Sequence, residues 1–468
     1  MQKFFYILSR FFSDFAIAFR GGESNFTSGS IRRAVFMLSI PMILEMVMES
    51  LFAVVDIYFV GKVSVEAIAT VTLTESIIMI IYSIAIGFSM AATAMVSRRI
   101  GENNTRKASF SAAQVMVVTL LVSFLFSITG LLYAPDILRV MGGSEEVISS
   151  GQGYTRIMLG GNLTIMYLFL INAIFRGAGN ASVAMRSLWL ANIINIALDP
   201  VFIFGLGPIP AFGVEGAAIA TNIGRGIGVV YQLYSLYSDK SLIRIKARDF
   251  IPQRKMVLRI INVSLGGIGQ YLIGTASWIF MVRISAEFGT AVLAGYALAF
   301  RTIMFTILPS WGLSNAAATL VGQNLGAGKP DRAEKSVWLC ARYNMYFLGA
   351  VSLVFILLAE SIVSLFTREP EVIKYGAIAL QYIGFGYVFY SYGMVISQAF
   401  NGAGDTRTPT IINFFCFWLF EVPLAYLLAI VFGFGPKGIF TAIALAVVLL
   451  AVVSIILFKQ GKWKHTKI

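Results

Sequence analysis

The sequence predicts an all-α polytopic membrane protein, with twelve transmembrane helices in two six-helix bundles related by a pseudo-two-fold axis along the membrane normal. Three observations predict it. Hydrophobic residues make up 58% of the 468-residue chain and charged residues 13%, with a mean hydropathy of +0.80, whereas a soluble chain carries about a quarter charged residues. Apolar stretches of about 20 or more residues recur, each long enough to cross a hydrocarbon core of about 30 Å as a helix. None shows the segments of about ten residues with period-two alternation that a membrane barrel needs. The third observation is a repeat. Phe175-Arg176-Gly177-Ala178-Gly179-Asn180 returns as Phe400-Asn401-Gly402-Ala403-Gly404-Asp405, and 402 − 177 = 225. Ser39 and Ser264, Leu73 and Leu298, Gly87 and Gly312, Gly101 and Gly326, Ala108 and Ala333, and Gly213 and Gly438 stand at the same offset with no gap. The chain is two copies of one unit of roughly 220 residues.

The elements follow in order. Residues 1–33 form an N-terminal arm, in which Phe4, Phe5, Leu8, Phe11, Phe12, Phe15 and Phe19 recur at helical spacing while Lys3, Arg10, Asp14 and Arg20 interrupt the apolar run. That pattern fits an interfacial amphipathic helix better than a cleaved signal peptide. The N-lobe, 34–236, contains spans at 34–61, 67–97, 108–132, 148–175, 180–204 and 212–236. A linker at 237–256 is rich in Lys and Arg. The C-lobe, 257–458, contains spans at 257–285, 290–322, 335–360, 375–400, 408–432 and 436–458, and residues 459–468 form a basic tail. Six spans per copy is an even number, so both copies enter the membrane from the same side.

Charge placement orients the bundle. About 26 of the 36 Lys and Arg residues fall on the side of the N-terminal arm, the loops after even-numbered spans and the tail. Lys62, Arg139, Arg368, Lys374 and Lys437 fall on the other. Both termini are therefore expected to be cytoplasmic in a plasma (inner) membrane, and the +13 net charge reflects topology rather than a nucleic-acid surface. Cys340 and Cys416 lie within spans and suit packing. His465, the only histidine, lies in the tail, which leaves no histidine for an intramembrane proton relay.

Polar groups inside spans are the functional candidates, because a carboxylate at mid-span costs about 2.5 to 3.5 kcal/mol on insertion scales. The first span places Glu45, Glu49 and Asp56 on one helical stripe, expected to line a water-filled interior. The fifth places Asn192, Asn195 and Asp199 on one face, and Thr221 in the sixth adds a hydroxyl. Adding 225 to Asp56, Asn195 and Asp199 gives Met281, Phe420 and Leu424, and Glu45 and Glu49 become Gln270 and Gly274. An ionic site in the N-lobe alone is expected from that asymmetry. In the C-lobe, Glu421 and Arg301 are expected to pair, with Glu421 as a second proton site the alternative, and Glu75 is placed near the outer interface. Met37, Met42, Met46 and Tyr271, with Glu45, Asn172 and Gln270, are candidates for the substrate cavity, since methionine adapts its shape.

Several separated motifs resemble the multidrug and toxic compound extrusion (MATE) family: the Gly-Ala-Gly motif in each half, the second continuing to Asp405-Thr406-Arg407-Thr408-Pro409; Val55-Asp56-Ile57-Tyr58-Phe59-Val60-Gly61; and Gly322-Gln323-Asn324-Leu325-Gly326-Ala327-Gly328. The likeness runs from about residue 31 to 458. It implies a secondary antiporter that exports amphiphilic, often cationic compounds against Na⁺ or H⁺. In the DinF-like branch the coupling site uses an aspartate on helix 1 and an Asn-x-x-x-Asp pair on helix 5, matched here by Asp56, Asn195 and Asp199, with Thr221 matching a helix 6 ligand. Glu49 is an additional acid. Na⁺ could sit at Asp56, Asn195 and Asp199. The NorM-like branch places acids on helices 7 and 10, where this chain has Gly274 and Tyr390. The expected partners are small-molecule substrates and membrane lipid, without nucleic acid or a bound cofactor, and the expected state is a monomer. A lipid-linked precursor flippase is the alternative. A membrane enzyme is disfavoured, since no Asp-rich metal motif, His cluster or Ser/Lys nucleophile arrangement occurs.

Overall fold

A computed structural model describes residues 15–19, 21, 26–238, 241–466 and 468, so the expected interfacial helix over the first residues lies largely outside the described segments. Twelve membrane-length helical segments follow: α1 Ile31–Val60, α2 Val65–Gly101, α3 Thr105–Val140, α4 Glu145–Gly177, α5 Ala181–Phe204, α6 Val214–Tyr237, α7 Arg254–Ala286, α8 Thr290–Gly326, α9 Pro330–Ser364, α10 Pro370–Ala403, α11 Arg407–Val431 and α12 Pro436–Lys459. Eleven are long and apolar enough to span a membrane. The exception, α6, is equal in length to α5 but less apolar, because Thr221, Arg225 and Gln232 are buried inside the bundle. Two spans are interrupted. Gly161 divides α4 into Glu145–Gly160 and Asn162–Gly177, and α11 winds as π-helix over Phe414–Glu421 and Leu427–Val431.

The repeat becomes physical at the seam between the lobes. A Cβ on Gly101 would lie 2.0 Å from the Gln323 carbonyl oxygen, and one on Gly326 would lie 2.1 Å from that of Arg98. Since 98 + 225 = 323, the two contacts are mirror copies about the pseudo-axis. Gly177 packs on the Thr93 carbonyl and Gly402 on its counterpart, Ala318. Small residues let helix backbones meet where any side chain would hold them apart. The Gly-Ala-Gly motifs end α4 and α10 in the same way. Gly179 (φ +88°) and Gly404 (φ +86°) turn left-handed, and Asn180 N–H and Asp405 N–H return to the carbonyls of Phe175 and Phe400.

These contacts close the end of the seam nearest the 102–104 and 327–329 loops. Toward the other end the lobes part. Glu75 on α2 and Arg301 on α8 are exposed, yet each lies within electrostatic reach of the other across the lobes. Charged groups at that depth avoid hydrocarbon by facing water, so they mark an open cleft. Glu75 is thus on the side of α2 turned toward the C-lobe.

The linker between lobes is docked. Gln114 Nε2 on α3 donates to the carbonyls of Asp249 (2.6 Å) and Ile251 (2.8 Å), Ser109 Oγ accepts from Arg244 N–H (2.8 Å), and Arg106 forms a bidentate ion pair with Asp249. The basic tail is docked too. Trp463 is buried against Phe458 with ring centroids 4.7 Å apart, and Lys464 Nζ lies 2.6 Å from Glu334.

Candidate functional site

The polar residues of α5 and α6 meet inside the N-lobe. Asn195 Nδ2 donates to Asp199 Oδ1 at 3.2 Å and to Thr221 Oγ1 at 3.1 Å. One amide thereby joins the carboxylate one turn along α5 to the hydroxyl of α6. Asp199 is fully buried and Asn195 nearly so, and each retains an oxygen with no partner: Asp199 Oδ2 and Asn195 Oδ1. A buried acceptor left unpaired costs about 1–3 kcal/mol, which marks the place where a cation or proton would be welcome. Asp56 on α1 takes no hydrogen bond among the described residues. Its charge is near enough to Asp199 to repel it. Among the described residues no group of three or more His, Cys, Asp or Glu gathers as a metal cluster; the oxygens available are two carboxylates, an amide and a hydroxyl.

The stripe on α1 divides by function. Glu49 Oε2 accepts from Asn192 Nδ2 at 3.1 Å, which ties it to the same wall of α5. Glu45 does not face open water as expected. It is 1% exposed, and its Oε1 accepts from Arg176 Nη1 (2.7 Å) and Asn172 Nδ2 (2.9 Å) of α4. Asn172 Oδ1 accepts in turn from Ser187 Oγ (2.8 Å) and Gln232 Nε2 (2.6 Å). This network fastens α1, α4, α5 and α6 together. Its C-lobe counterpart is the reciprocal amide pair of Gln270 and Asn401 (3.0 and 3.1 Å), since 45 + 225 = 270 and 176 + 225 = 401. Glu45 is therefore the N-lobe version of a brace present in both halves. Its difference from Gln270 says nothing about coupling.

Between the lobes, at the closed end, lies a cavity. Met46, Phe169, Trp311, Arg176, Gln398 and Asn401 line it together with small residues of α2 and α8. Of the residues expected there, Met46 is on the wall. Glu45 and Gln270 are behind it, bonded to the wall residues Arg176 and Asn401, and Asn172 is bonded to Glu45, because their polar groups are engaged in the two braces. Tyr271 is higher on α7, its hydroxyl 3.7 Å from Met79 Sδ on α2.

The expected pair of Arg301 and Glu421 does not form. Glu421 is 6% exposed and accepts from Ser277 Oγ on α7 at 3.0 Å, while Arg301 is exposed to the cleft and makes no ion pair among the described residues. Glu421 is buried against α7 while Arg301 is exposed on α8, a difference that charge balance alone cannot see.

With this geometry in place, the comparisons are decisive. Residues 41–201 and 265–427, one stretch in each repeat, match the MatE family. The chain belongs to the MatE family. The probable multidrug resistance protein NorM of Thermotoga maritima is 26% identical over 436 residues, covering 93% of each chain. The probable multidrug resistance protein YoeA of Bacillus subtilis is 24% identical, over 86% of this chain and 87% of the relative. A solved structure described as the outward-facing conformation of a multidrug resistance MATE family transporter of the MOP superfamily superimposes with a TM-score of 0.88 at 26% identity, over 95% of this chain and 99% of that one. Like these relatives, the MatE protein described here is a multi-pass membrane transporter, not an enzyme.

One site residue of this MatE transporter escaped the sequence reading. Arg225 on α6 is 4% exposed; its Nη2 donates to Tyr82 Oη at 2.7 Å, and its guanidinium lies 5.4 Å from the Phe52 ring centre. It sits close enough to Asp56 and Glu49 to attract both, and its Nη1 has no partner. A fixed positive charge therefore stands among the N-lobe acids. The available signal was a lone arginine in the middle of the sixth span.

Proposed function

We propose that this MatE protein is a secondary active exporter of amphiphilic and cationic organic compounds, driven by antiport of Na⁺ or H⁺ through alternating access of its two lobes. The carrying observation is the Asn195 amide that joins Asp199 to Thr221 and leaves Asp199 Oδ2 and Asn195 Oδ1 buried and unpaired near Asp56. Hard oxygen donors of this kind suit Na⁺, and the same carboxylates accept protons. Loading the site relieves the repulsion between Asp56 and Asp199, and emptying it restores that repulsion. The ion then favours one arrangement of α1 against α5 and α6, and coupling is the difference in its affinity for the two arrangements. Glu49, held by Asn192, extends the acidic path along α1.

The presence of Asp56, Asn195 and Asp199, with Gly274 and Tyr390 where acids of the other branch would stand, supports a DinF-like coupling site. With the arm, linker and tail on the cytoplasmic side of a plasma (inner) membrane, the closed seam faces the cytoplasm and the cleft faces outward. The cavity at its base is lined by apolar and aromatic side chains with a few polar groups, the make-up of a small-molecule site. Its arginine, Arg176, is already neutralised by Glu45, which favours a drug-sized cation over the anionic headgroup that a lipid-linked precursor flippase would hold. The protein acts as a monomer in lipid, without a cofactor.

Proteoliposomes carrying an imposed Na⁺ gradient, and separately a pH gradient, test the proposal. Asp56→Asn is expected to abolish gradient-driven export while the protein remains inserted and folded. Coupled export at the wild-type rate in that variant would refute the N-lobe site.

A further inference from the structure

The C-lobe holds a buried acid that this cycle does not use. Glu421 takes one hydrogen bond, from Ser277 of α7. The titratable groups within reach of its charge are Tyr296 on α8, Tyr390 on α10 and Cys416 on α11 itself. On α12 the titratable side chains lie only at the ends, Lys437 and Lys459. Arg283 of α7 is turned to Glu287, 3.0 Å away. Among the described residues no cation pairs with Glu421. A buried carboxylate without a counter-charge is costly, whereas a carboxylic acid accepting from a hydroxyl is not.

Pseudo-symmetry gives the location meaning. Trp189 Nε1 donates to the Leu44 carbonyl at 3.0 Å, and Trp418 Nε1 donates to the Ile273 carbonyl at 3.1 Å, so a tryptophan pins the fifth helix of each lobe to its first, the C-lobe bond displaced four residues, about one turn, along both helices from the 225 offset. Three residues beyond Trp189, Asn192 meets Glu49; three residues beyond Trp418 comes Glu421, which meets Ser277. Each lobe thus joins its first and fifth helices through one acid and one neutral partner, with the acid on opposite helices. Glu421 also ends the π-helical stretch Phe414–Glu421, a geometry that gathers at functional positions.

The face of α7 near the acid is turned toward the other lobe. Gly274, one turn before Ser277, has open space where a Cβ would lie. Tyr271, one turn earlier again, reaches Met79 of the other lobe, so this face of α7 looks into the region between the lobes.

We infer that Glu421 and Ser277 form a second ion site, specific for protons, which loads and discharges during each cycle, so that the transporter moves one proton more than the N-lobe site alone supplies. The inference rests on the antiport reading above. One carboxylate and one hydroxyl are too few oxygens for Na⁺, which needs several. The Glu421 carboxylate takes H⁺ from water on one side and returns it to water on the other. Ser277 keeps donating to Oε2, which leaves Oε1 to carry the proton.

The test uses full-length protein in proteoliposomes, with ethidium as the transported cation, the membrane potential clamped, and a fixed pH difference. For each proton exchanged, the steady ethidium ratio changes tenfold per pH unit. Glu421→Gln is expected to lower the ratio tenfold per unit while leaving downhill ethidium movement intact, and Ser277→Ala to shift the pH dependence without altering the ratio. An unchanged ratio in Glu421→Gln overturns the inference. Infrared difference spectra between acid and alkaline pH supply a readout independent of transport. A protonated-carboxyl band absent from Glu421→Gln and displaced in Ser277→Ala is expected, and a band that persists in Glu421→Gln removes the site. Failure of the wild type to exchange ethidium for protons would instead refute the antiport reading on which the inference rests.

Discussion

The seam glycines give the sharpest mechanical prediction. In Gly101→Ala the new Cβ would meet the Gln323 oxygen, carbonyl carbon and Cα at 2.0, 2.7 and 2.9 Å, all backbone atoms that no rotamer change can move. Relief to an ordinary carbon–oxygen approach of about 3.3 Å needs the two helices to part by about 1.3 Å. Gly326→Ala, 2.1 Å from the Arg98 oxygen, makes a comparable demand. Overpacking of this kind costs about 1–3 kcal/mol per site. The helix-propensity gain of alanine over glycine is the same in every state of the transporter and cancels from the conformational equilibrium. The clash does not cancel, because it exists only while this end is shut. The double variant therefore biases the protein away from the closed-seam state by about 2–6 kcal/mol, a factor of at least thirty.

Spin labels at Asn104→Cys and Lys329→Cys, in symmetry-related loops on either side of the seam, read the result by pulsed electron resonance, and the native Cys340 and Cys416 are buried. The wild type is expected to show a dominant short distance and the double variant a dominant longer one. Gly226→Ala, where the nearest neighbour of a new Cβ is 3.9 Å away, should leave the distribution unchanged. An unaltered short distance in Gly101→Ala/Gly326→Ala would refute the claim that these glycines set the closed state.

Two further outcomes follow from the charges. Arg225→Gln removes the guanidinium that attracts Asp56 and Glu49, so half-maximal exchange should need about tenfold less Na⁺ or H⁺ while turnover falls, and loss of the bond to Tyr82 should cost about 1–3 kcal/mol of stability; an unchanged ion dependence would show that Arg225 does not tune the site. In the linker, the Arg106 guanidinium holds the Asp249 carboxyl below the usual carboxylate range, with the Lys246 N–H contributing. Because the folded value is lower than the unfolded one, the stabilisation is complete above about pH 4 and fades only as acid takes the pH down through the folded value. Amide hydrogen exchange over 241–253 should therefore be slow in the wild type at neutral pH and fast in Asp249→Ala, and equal rates would show that the clamp does not hold the linker.

Much of the architecture was legible because lipid imposes simple rules. Twelve spans, their order and the even repeat follow from apolar length and from an offset of 225 that recurs along the chain. Partnerships were harder to read, since they depend on which way each helix is turned. Glu45 was expected to line the substrate cavity from its step along α1, yet its partner Arg176 is on α4 inside the very motif that identified the repeat. Glu421 was assigned to Arg301 on charge alone, and the π-helical winding of α11 is invisible to a period of 3.6 residues. Arg225 illustrates the converse: an arginine at mid-span was plain to see, but only the fold brings it beside Tyr82, Asp56 and Glu49.

The places where the repeat fails therefore need sorting. A change of residue type at offset 225 signals nothing if the two copies make the same connection by different chemistry, as Glu45–Arg176 and Gln270–Asn401 do. It does signal specialisation where one copy has polar groups and the other has none. Asp56, Asn195, Asp199 and Thr221 face Met281, Phe420, Leu424 and Ala446 across the pseudo-axis, so the multi-oxygen site has no C-lobe copy. Yet the C-lobe is not electrically silent, because Glu421 stands at the level of Asn192 when the tryptophan braces are used as the ruler. Under the antiport proposed above, two lobes that rock about one seam would carry ion sites of unequal capacity. That inequality lets a symmetric motion respond to an ion in one half more strongly than in the other.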